Sequence, residues 1–306
     1  MHNHEIILPS VMATNLTCVV FSGVKARELL QGLVTADLRK LDQQHLQPSL
    51  ICQHQGRVFA LGYFILRAPD ILWFLTPQAH ADKTQQLLAP HCQLARVTMH
   101  TQRVDCCVHA SEKADNDPEA SRQEASRQTI DTDMTFTLDA SYHLHVVLDA
   151  APQAQVEEIE SWQLWHMRAQ IPILTDTSLL QFTPNQLSLV PSDWVSLQKG
   201  CYCGQEIIAR THHLGKAKRV LGLYQLESDD IQIKRGAALT ERSSGQRLQI
   251  LAQATTTQGH LIQTVGAPLH TDQGPLHMQL SHDSSVIDVA ISPCIPVAQA
   301  VSLGAD

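Results

Sequence analysis

The sequence predicts a chain in two parts: a region mixing strands and helices up to Arg219, then a region of short strands from Val220 onward. Apolar runs of strand length interrupted by stretches of helical period predict the first part. Short runs punctuated by Ser243-Ser244-Gly245 and Gln258-Gly259 predict the second, a small barrel or sandwich. A segment of glycines, cysteines and basic residues, Lys199 to Arg219, stands at the junction.

Taken in order, Cys18-Val19-Val20-Phe21 predicts a strand and Ser22-Gly23 the turn after it. Val24 to Gly32 predicts a helix, with Ala26, Leu29, Leu30 and Leu33 on one side. Thr35-Ala36-Asp37 carries side chains suited to local turn bonds. Leu50-Ile51-Cys52 and the run Val58 to Leu66 predict paired strands joined by Gln53-His54-Gln55-Gly56. Ile71 to Leu75 is a further strand. Ala79 to Leu88 is a helix expected to stop before Pro90. Strand signals return at Met134 to Leu138 and His143 to Leu148. Glu157 to Ala169 is amphipathic, with Ile159, Trp162, Trp165, His166 and Ala169 at helical spacing, and Ile171-Pro172 ends it.

Residues 111–128 break this rhythm. The stretch is polar and contains a direct repeat, Glu119-Ala120-Ser121-Arg122-Gln123 followed by Glu124-Ala125-Ser126-Arg127-Gln128. With so few apolar side chains it cannot offset the entropy of ordering, so a mobile surface insertion is expected.

Composition narrows the function classes. Among 306 residues, 43% are hydrophobic and 17% charged, which suits a folded protein rather than a disordered one. A net charge of -8 argues against a surface wholly devoted to nucleic acid, though not against one basic patch. Met1-His2-Asn3-His4-Glu5 does not read as a secretory leader, and no run reaches the ~18 apolar residues of a membrane span. Eight cysteines dispersed along the chain do not form a disulfide framework. A cytoplasmic protein with reduced thiols, away from any membrane, is expected.

The chemistry concentrates in Lys199-Gly200-Cys201-Tyr202-Cys203-Gly204-Gln205-Glu206-Ile207-Ile208-Ala209-Arg210. Gly200 and Gly204 permit a loop whose amides approach a ligand closely. If a helix begins at Gln205, Cys201 and Cys203 lie near its N-terminus, where the dipole and Lys199 would stabilise a thiolate. Cys201 is therefore the candidate functional thiol, while Cys203 reads as a packing residue. Cys201, Cys203, His212 and His213 fit no familiar zinc spacing, so no metal site is expected. Transient contact of Cys201 with an iron–sulfur species stays open. Arg210, Lys216, Lys218 and Arg219 form a basic cluster, either a solvated face or a seat for a carboxylate, phosphate or RNA backbone. Walker, dinucleotide and nucleophile-elbow patterns do not occur.

The run Lys199 to Glu206, continuing to Ala209-Arg210-Thr211, resembles the signature of the YgfZ folate-binding proteins. These sit in the superfamily of the glycine-cleavage T-protein, the tetrahydrofolate-dependent aminomethyltransferase. Further resemblance lies in Phe21-Ser22-Gly23, Leu29 to Asp37, Cys52 to Gly56, Trp162, Arg168, Ile171-Pro172 and Phe182 to Leu187. Residues 111–128 and those after Gly266 match poorly. The resemblance implies an α+β fold: a T-protein-like folate-binding region over 1–219, in two subdomains, and a C-terminal β-barrel over 220–306. It implies tetrahydrofolate or a derivative as cofactor. It implies iron–sulfur enzymes or assembly proteins as partners, and tRNA as an indirect or weak one. Carried onto this chain, Cys201 is the signature thiol; Lys199, Gly200, Tyr202, Gly204, Gln205, Glu206, Arg210 and Trp162 are the expected folate-binding residues.

One departure bears on activity. The T-protein carries an acidic pair on the strand after a glycine turn. Aligning that turn with Gly56-Arg57-Val58 puts Phe59-Ala60 in its place, and neither can act as a general base. The sequence thus favours an accessory factor for iron–sulfur assembly or repair over the alternatives, a one-carbon transferase or a direct tRNA-binding module.

Overall fold

The computed structural model describes residues 11–110, 133–148 and 163–294, with short interruptions inside those spans. Residues 111–128 and Trp162 lie outside the described residues, as does most of the helix expected over 157–169, of which 163–168 is helical.

An antiparallel sheet organises the first part. Its strands are β1 (Val11–Met12), β2 (Leu16–Ser22), β3 (Gln47–Cys52), β4 (Val58–Ala68), β5 (Ile71–Pro77), β6 (Thr98–Ala110), β7 (Asp133–Thr137) and β8 (Tyr142–Leu148). They run in the order β3-β4-β5-β2-β6-β8-β7, with β1 added beside β6. Both faces of the central strands are covered. Along β2, Leu16, Cys18 and Val20 join one core, while Val19 and Phe21 join another. The period of two therefore sends alternate residues into different cores.

The second of these cores lies under two helices, α1 (Ala26–Gln31) and α2 (Gln78–Ala95). His80, Ala81, Thr84, Leu88 and Cys92 form the buried stripe of α2, at the spacing of one helix face. The helix does not stop before Pro90 as expected; it runs through it to Ala95. Pro90 and Gln86, whose carbonyl loses its partner, are both exposed. Water can satisfy that carbonyl, and burial of Leu88 and Cys92 on the opposite side offsets the lost hydrogen bond.

Strand β4 contains the feature that matters most for the site. Ile51 pairs with Ala60 but Cys52 pairs with Val58, so Phe59 is one residue too many for its partner strand. The bulge resets the alternation. Phe59 and Ala60 both turn to the helix-side core, while Val58, Leu61, Tyr63 and Ile65 face the other way.

The second part is a closed six-stranded barrel, which decides between the barrel and sandwich readings. Its strands are β9 (Val220–Leu226), β10 (Ala238–Glu241), β11 (Arg247–Thr256), β12 (Gly259–Gly266), β13 (Leu276–His282) and β14 (Ser285–Pro293). They close in the order β10-β11-β12-β9-β14-β13. Tyr224, Leu239, Ile262, Met278 and Ile291 help fill the interior. Leu221, Leu251 and Val265 turn outward and pack into the core on the open face of the large sheet. Among the described residues, no helix is long and apolar enough to cross a membrane.

Candidate functional site

The segment that carries the signature sends Tyr202 and Ile208 into the core between the large sheet and the barrel. Residues 199–204 are loop and turn, and α3 (Gln205–Leu214) follows. Only Ile208 of α3 is buried. Asn185 holds the helix in place by donating from Nδ2 to the Ile208 carbonyl at 2.9 Å.

Lys199 has the firmest set of partners in this segment. Its buried ammonium donates to the carbonyls of Gln31, Val34 and Ala36 at 2.6, 2.8 and 2.7 Å. Gln31 is the last residue of α1, where a cation is favoured, and Val34 and Ala36 lie in the turn after it. Burial pulls Lys199 down to about 8, against the pull of the Asp37 carboxylate, so it is charged at neutral pH. All three protons are committed. The expectation that Lys199 stabilises a thiolate at Cys201 is corrected: its charge serves the backbone of residues 31–36. The same turn is fixed again by Thr35, whose hydroxyl donates to the Trp194 carbonyl at 2.7 Å and accepts from Leu50 N–H at 2.9 Å.

Tyr202 points inward. It is 6% exposed, its ring lies 5.2 Å from the Lys199 ammonium, and its hydroxyl has no partner among the described residues. Cys201 is exposed, in irregular backbone four residues before the first helical one. The helix field acts over the first turn, so Cys201 stands outside its reach in sequence. Cys203 is half-buried, and its N–H donates to the Gly32 carbonyl at 3.3 Å. Burial pushes the Cys203 thiol up, and burial pushes Cys52 up further, with Cys203 adding to it.

Gly204 begins α3 at φ 82°, and a Cβ there would sit 2.7 Å from the Gln53 carbonyl oxygen and 2.9 Å from the Gly56 Cα. Two backbone turns therefore meet where no side chain fits. By contrast, a Cβ at Gly200 would meet nothing within 4 Å. Gln205 is half-buried, and Glu206 is exposed in the first turn of α3, where its charge complements the dipole. Arg210, Lys218 and Arg219 are exposed, and Lys216 lies outside the described residues. Among the described residues, no group of three or more His, Cys, Asp or Glu side chains is arranged to hold a metal ion.

A cavity of about 260 Å3 lies at one end of the same core. Its walls are Leu16, Leu61, Leu75, Ile173 and Leu174, and its polar lining includes Tyr63, His80, His166, Thr175 and Asp176. None of the signature residues 199–210 lines it. Tyr63 is 5% exposed, stacks at a tilt 5.3 Å from Trp194, and carries a buried hydroxyl without a partner among the described residues. Tyr63, Trp194 and Tyr202 share one core cluster, which joins the signature to the cavity wall.

Sequence reasoning missed the cavity residues. Tyr63 stood within a predicted strand, but its face depends on the bulge at Phe59. His166 read as one position of a helix stripe, and Asp176 belonged to no motif. The acidic pair was sought at Phe59-Ala60; both face away from the cavity, whose carboxylate comes from Asp176 instead.

His80 ties the cavity floor together. Nε2–H donates to the Leu174 carbonyl at 3.1 Å, and Nδ1 is 3.4 Å from the Leu61 N–H. Burial holds its pKa below the usual value, against the backbone carbonyls and Asp176 and with Lys83. A folded-state value below the unfolded ~6.5 means the unfolded chain takes up the proton first. Stability should therefore fall as pH drops below about 6.5. Urea midpoints at about pH 7.5 and 5.5 test this: the acid-side loss should shrink in His80→Gln, and an unchanged loss would acquit His80.

No family model matches the chain. It is 28% identical over 224 residues to the tRNA-modifying protein YgfZ of Colwellia psychrerythraea, covering 66% of this chain and 67% of that protein. The tRNA-modifying protein YgfZ of Sodalis glossinidius is 25% identical over 246 residues, covering 71% and 74%. The mitochondrial iron-sulfur cluster assembly factor IBA57 of Mus musculus is 31% identical over 148 residues, covering 46% and 39%. The glycine cleavage system aminomethyltransferase T from Bartonella henselae superposes with a TM-score of 0.62 at 11% identity, over 92% of this chain and 84% of that one. The fold is thus the T-protein-like α+β region with a C-terminal barrel that the sequence resemblance implied.

Proposed function

We propose that the chain acts as the YgfZ proteins it resembles and is a tetrahydrofolate-binding accessory protein. It supports iron–sulfur cluster assembly or repair and, through iron–sulfur enzymes, tRNA modification. The relatives' names support the second half of this reading. For folate, the supporting observations are a largely apolar cavity with Tyr63 in its wall and the buried Tyr63 hydroxyl, which has no partner among the described residues. A buried hydroxyl without a partner forfeits a hydrogen bond, and a ligand with a polar edge would restore it. A pterin is such a ligand: planar, apolar on its faces, and edged with donors and acceptors. Leu61, Leu75 and Leu174 would hold its faces, and Tyr63, His166 and Asp176 its edge. When bound, a reduced pterin supplies reducing equivalents or carries a one-carbon unit.

In this reading the folate-binding role moves from the signature to the cavity, while Lys199 and Gly204 position the loop that presents Cys201. Trp162 remains a proposed folate-binding residue on the strength of the resemblance alone. The domains divide after Arg219, where β9 begins, and the protein works in the cytoplasm. A second reading, folate-dependent one-carbon transfer, draws on Asp176, a carboxylate in the cavity. Turnover with an aminomethyl donor that is lost in Asp176→Asn would favour it.

Titration of the purified protein with tetrahydrofolate tests the first reading, with saturable binding expected in the micromolar range. The absence of saturation would overturn it. Tyr63→Phe sharpens the test, because removal of an unpartnered hydroxyl should leave stability unchanged or slightly raised. Affinity should fall by roughly fivefold, the worth of about 1 kcal/mol for one hydrogen bond. Equal affinity in Tyr63→Phe would remove Tyr63 from the site.

A further inference from the structure

We propose that Cys201 and Cys203 form a peroxide-reactive dithiol, in which Cys203 resolves an oxidised Cys201 as an intrachain disulfide. The inference does not rest on folate binding. Three thiols follow one another from solvent to core: Cys201 exposed, Cys203 half-buried, and Cys52 at 2% exposure. Exposure decides which reacts first, because an oxidant must reach the sulfur. Burial pushes up both Cys203 and Cys52, which slows their direct oxidation further.

Sequence spacing makes Cys203 the nearest thiol to Cys201 along the chain. Tyr202 between them is anchored inward, and the two thiols flank that anchor. Cys201 and Tyr202 belong to no helix, strand or turn, so no ladder opposes a local twist. Gly200, with open space where a Cβ would stand, gives the segment its pivot. Disulfide formation needs the two Cα atoms within about 6.8 Å, which residues two apart reach once the backbone leaves full extension.

The steps balance with hydrogen peroxide as the named oxidant. The Cys201 thiol attacks one peroxide oxygen and the O–O bond breaks, giving the sulfenic acid and water. The Cys203 sulfur then attacks the Cys201 sulfur, the S–O bond breaks, and a second water leaves with the Cys203 proton. Two thiols have lost two electrons and two protons, and one peroxide has become two waters. The product is reversible by a thiol reductant, whereas an unresolved Cys201 sulfenic acid proceeds to the sulfinic acid.

Trypsin releases residues 200–210 as one peptide carrying both thiols and no other cysteine. The reduced full-length protein is treated with hydrogen peroxide, alkylated in acid and digested. The expected product is peptide 200–210 two hydrogens lighter, with neither sulfur alkylated until a reductant is added. In Cys203→Ser the lighter species should be lost entirely, and Cys201 should carry added oxygen atoms instead. Cys203→Ala gives the same readout if serine in the half-buried place prevents folding. Linkage of the peptide to the one bearing Cys52 or to a second chain would overturn the proposal. So would the same Cys201 products in wild type and in both variants.

Discussion

Replacing Lys199 with methionine should destabilise the protein by about 3 kcal/mol or more, read as a lower urea midpoint at unchanged slope. Methionine fills the space of the side chain's stem but leaves the carbonyls of Gln31, Val34 and Ala36 without their donor. A hydrogen bond to a charged group contributes about 1.5–3 kcal/mol, and these three share one ammonium and do not add in full. Lysine to arginine should fare little better, since a planar fork cannot aim at three carbonyls converging on one point. A loss below about 1 kcal/mol in Lys199→Met would show that water replaces the ammonium and that the cluster carries little of the loop's stability.

Gly204→Ala should be the most damaging single change in the signature at the smallest increase in size. The left-handed backbone alone costs a residue with a Cβ about 1–2 kcal/mol. The added carbon would also press to 2.7 Å from the Gln53 carbonyl and 2.9 Å from the Gly56 Cα, both backbone atoms that cannot rotate away. The turn 53–56 and the start of α3 must separate, which uncovers Ile207 where it packs over Gly56. Gly200→Ala supplies the contrast, with open space around it and an expected change within about 0.5 kcal/mol. Equal thermal midpoints for the two variants would refute the account of the Gly204 contact.

The contrast between these two glycines shows how far the sequence could be read. The signature announced a special loop, and both glycines read as licences for flexibility. Only the fold distinguishes Gly204, wedged against a turn about 150 residues away in the chain, from Gly200, where an added Cβ would meet nothing within 4 Å. Lys199 is a similar case. A lysine beside a cysteine suggests electrostatic activation, and nothing local reveals three carbonyls 163–168 residues upstream. Most strands were legible because periodicity is local, whereas periodicity left barrel and sandwich open and only the resemblance implied the barrel. The cavity was not legible, because the bulge at Phe59 decides which side chains of β4 face it. A shift of one residue exchanges the two faces of a strand, and no composition signal marks that shift.

The long reach of the Lys199 and Thr35 contacts has a consequence for how the chain acquires its shape. The segment around residues 194–204 takes its conformation from residues 31–56, which leave the ribosome long before it does. Its nearby contacts are few: α3 buries only Ile208, and Asn185 holds that helix by one hydrogen bond. The loop is therefore a late event, closing only when the N-terminal sheet already stands. A fragment starting beyond residue 56 would carry the whole signature in its sequence and be unable to build it.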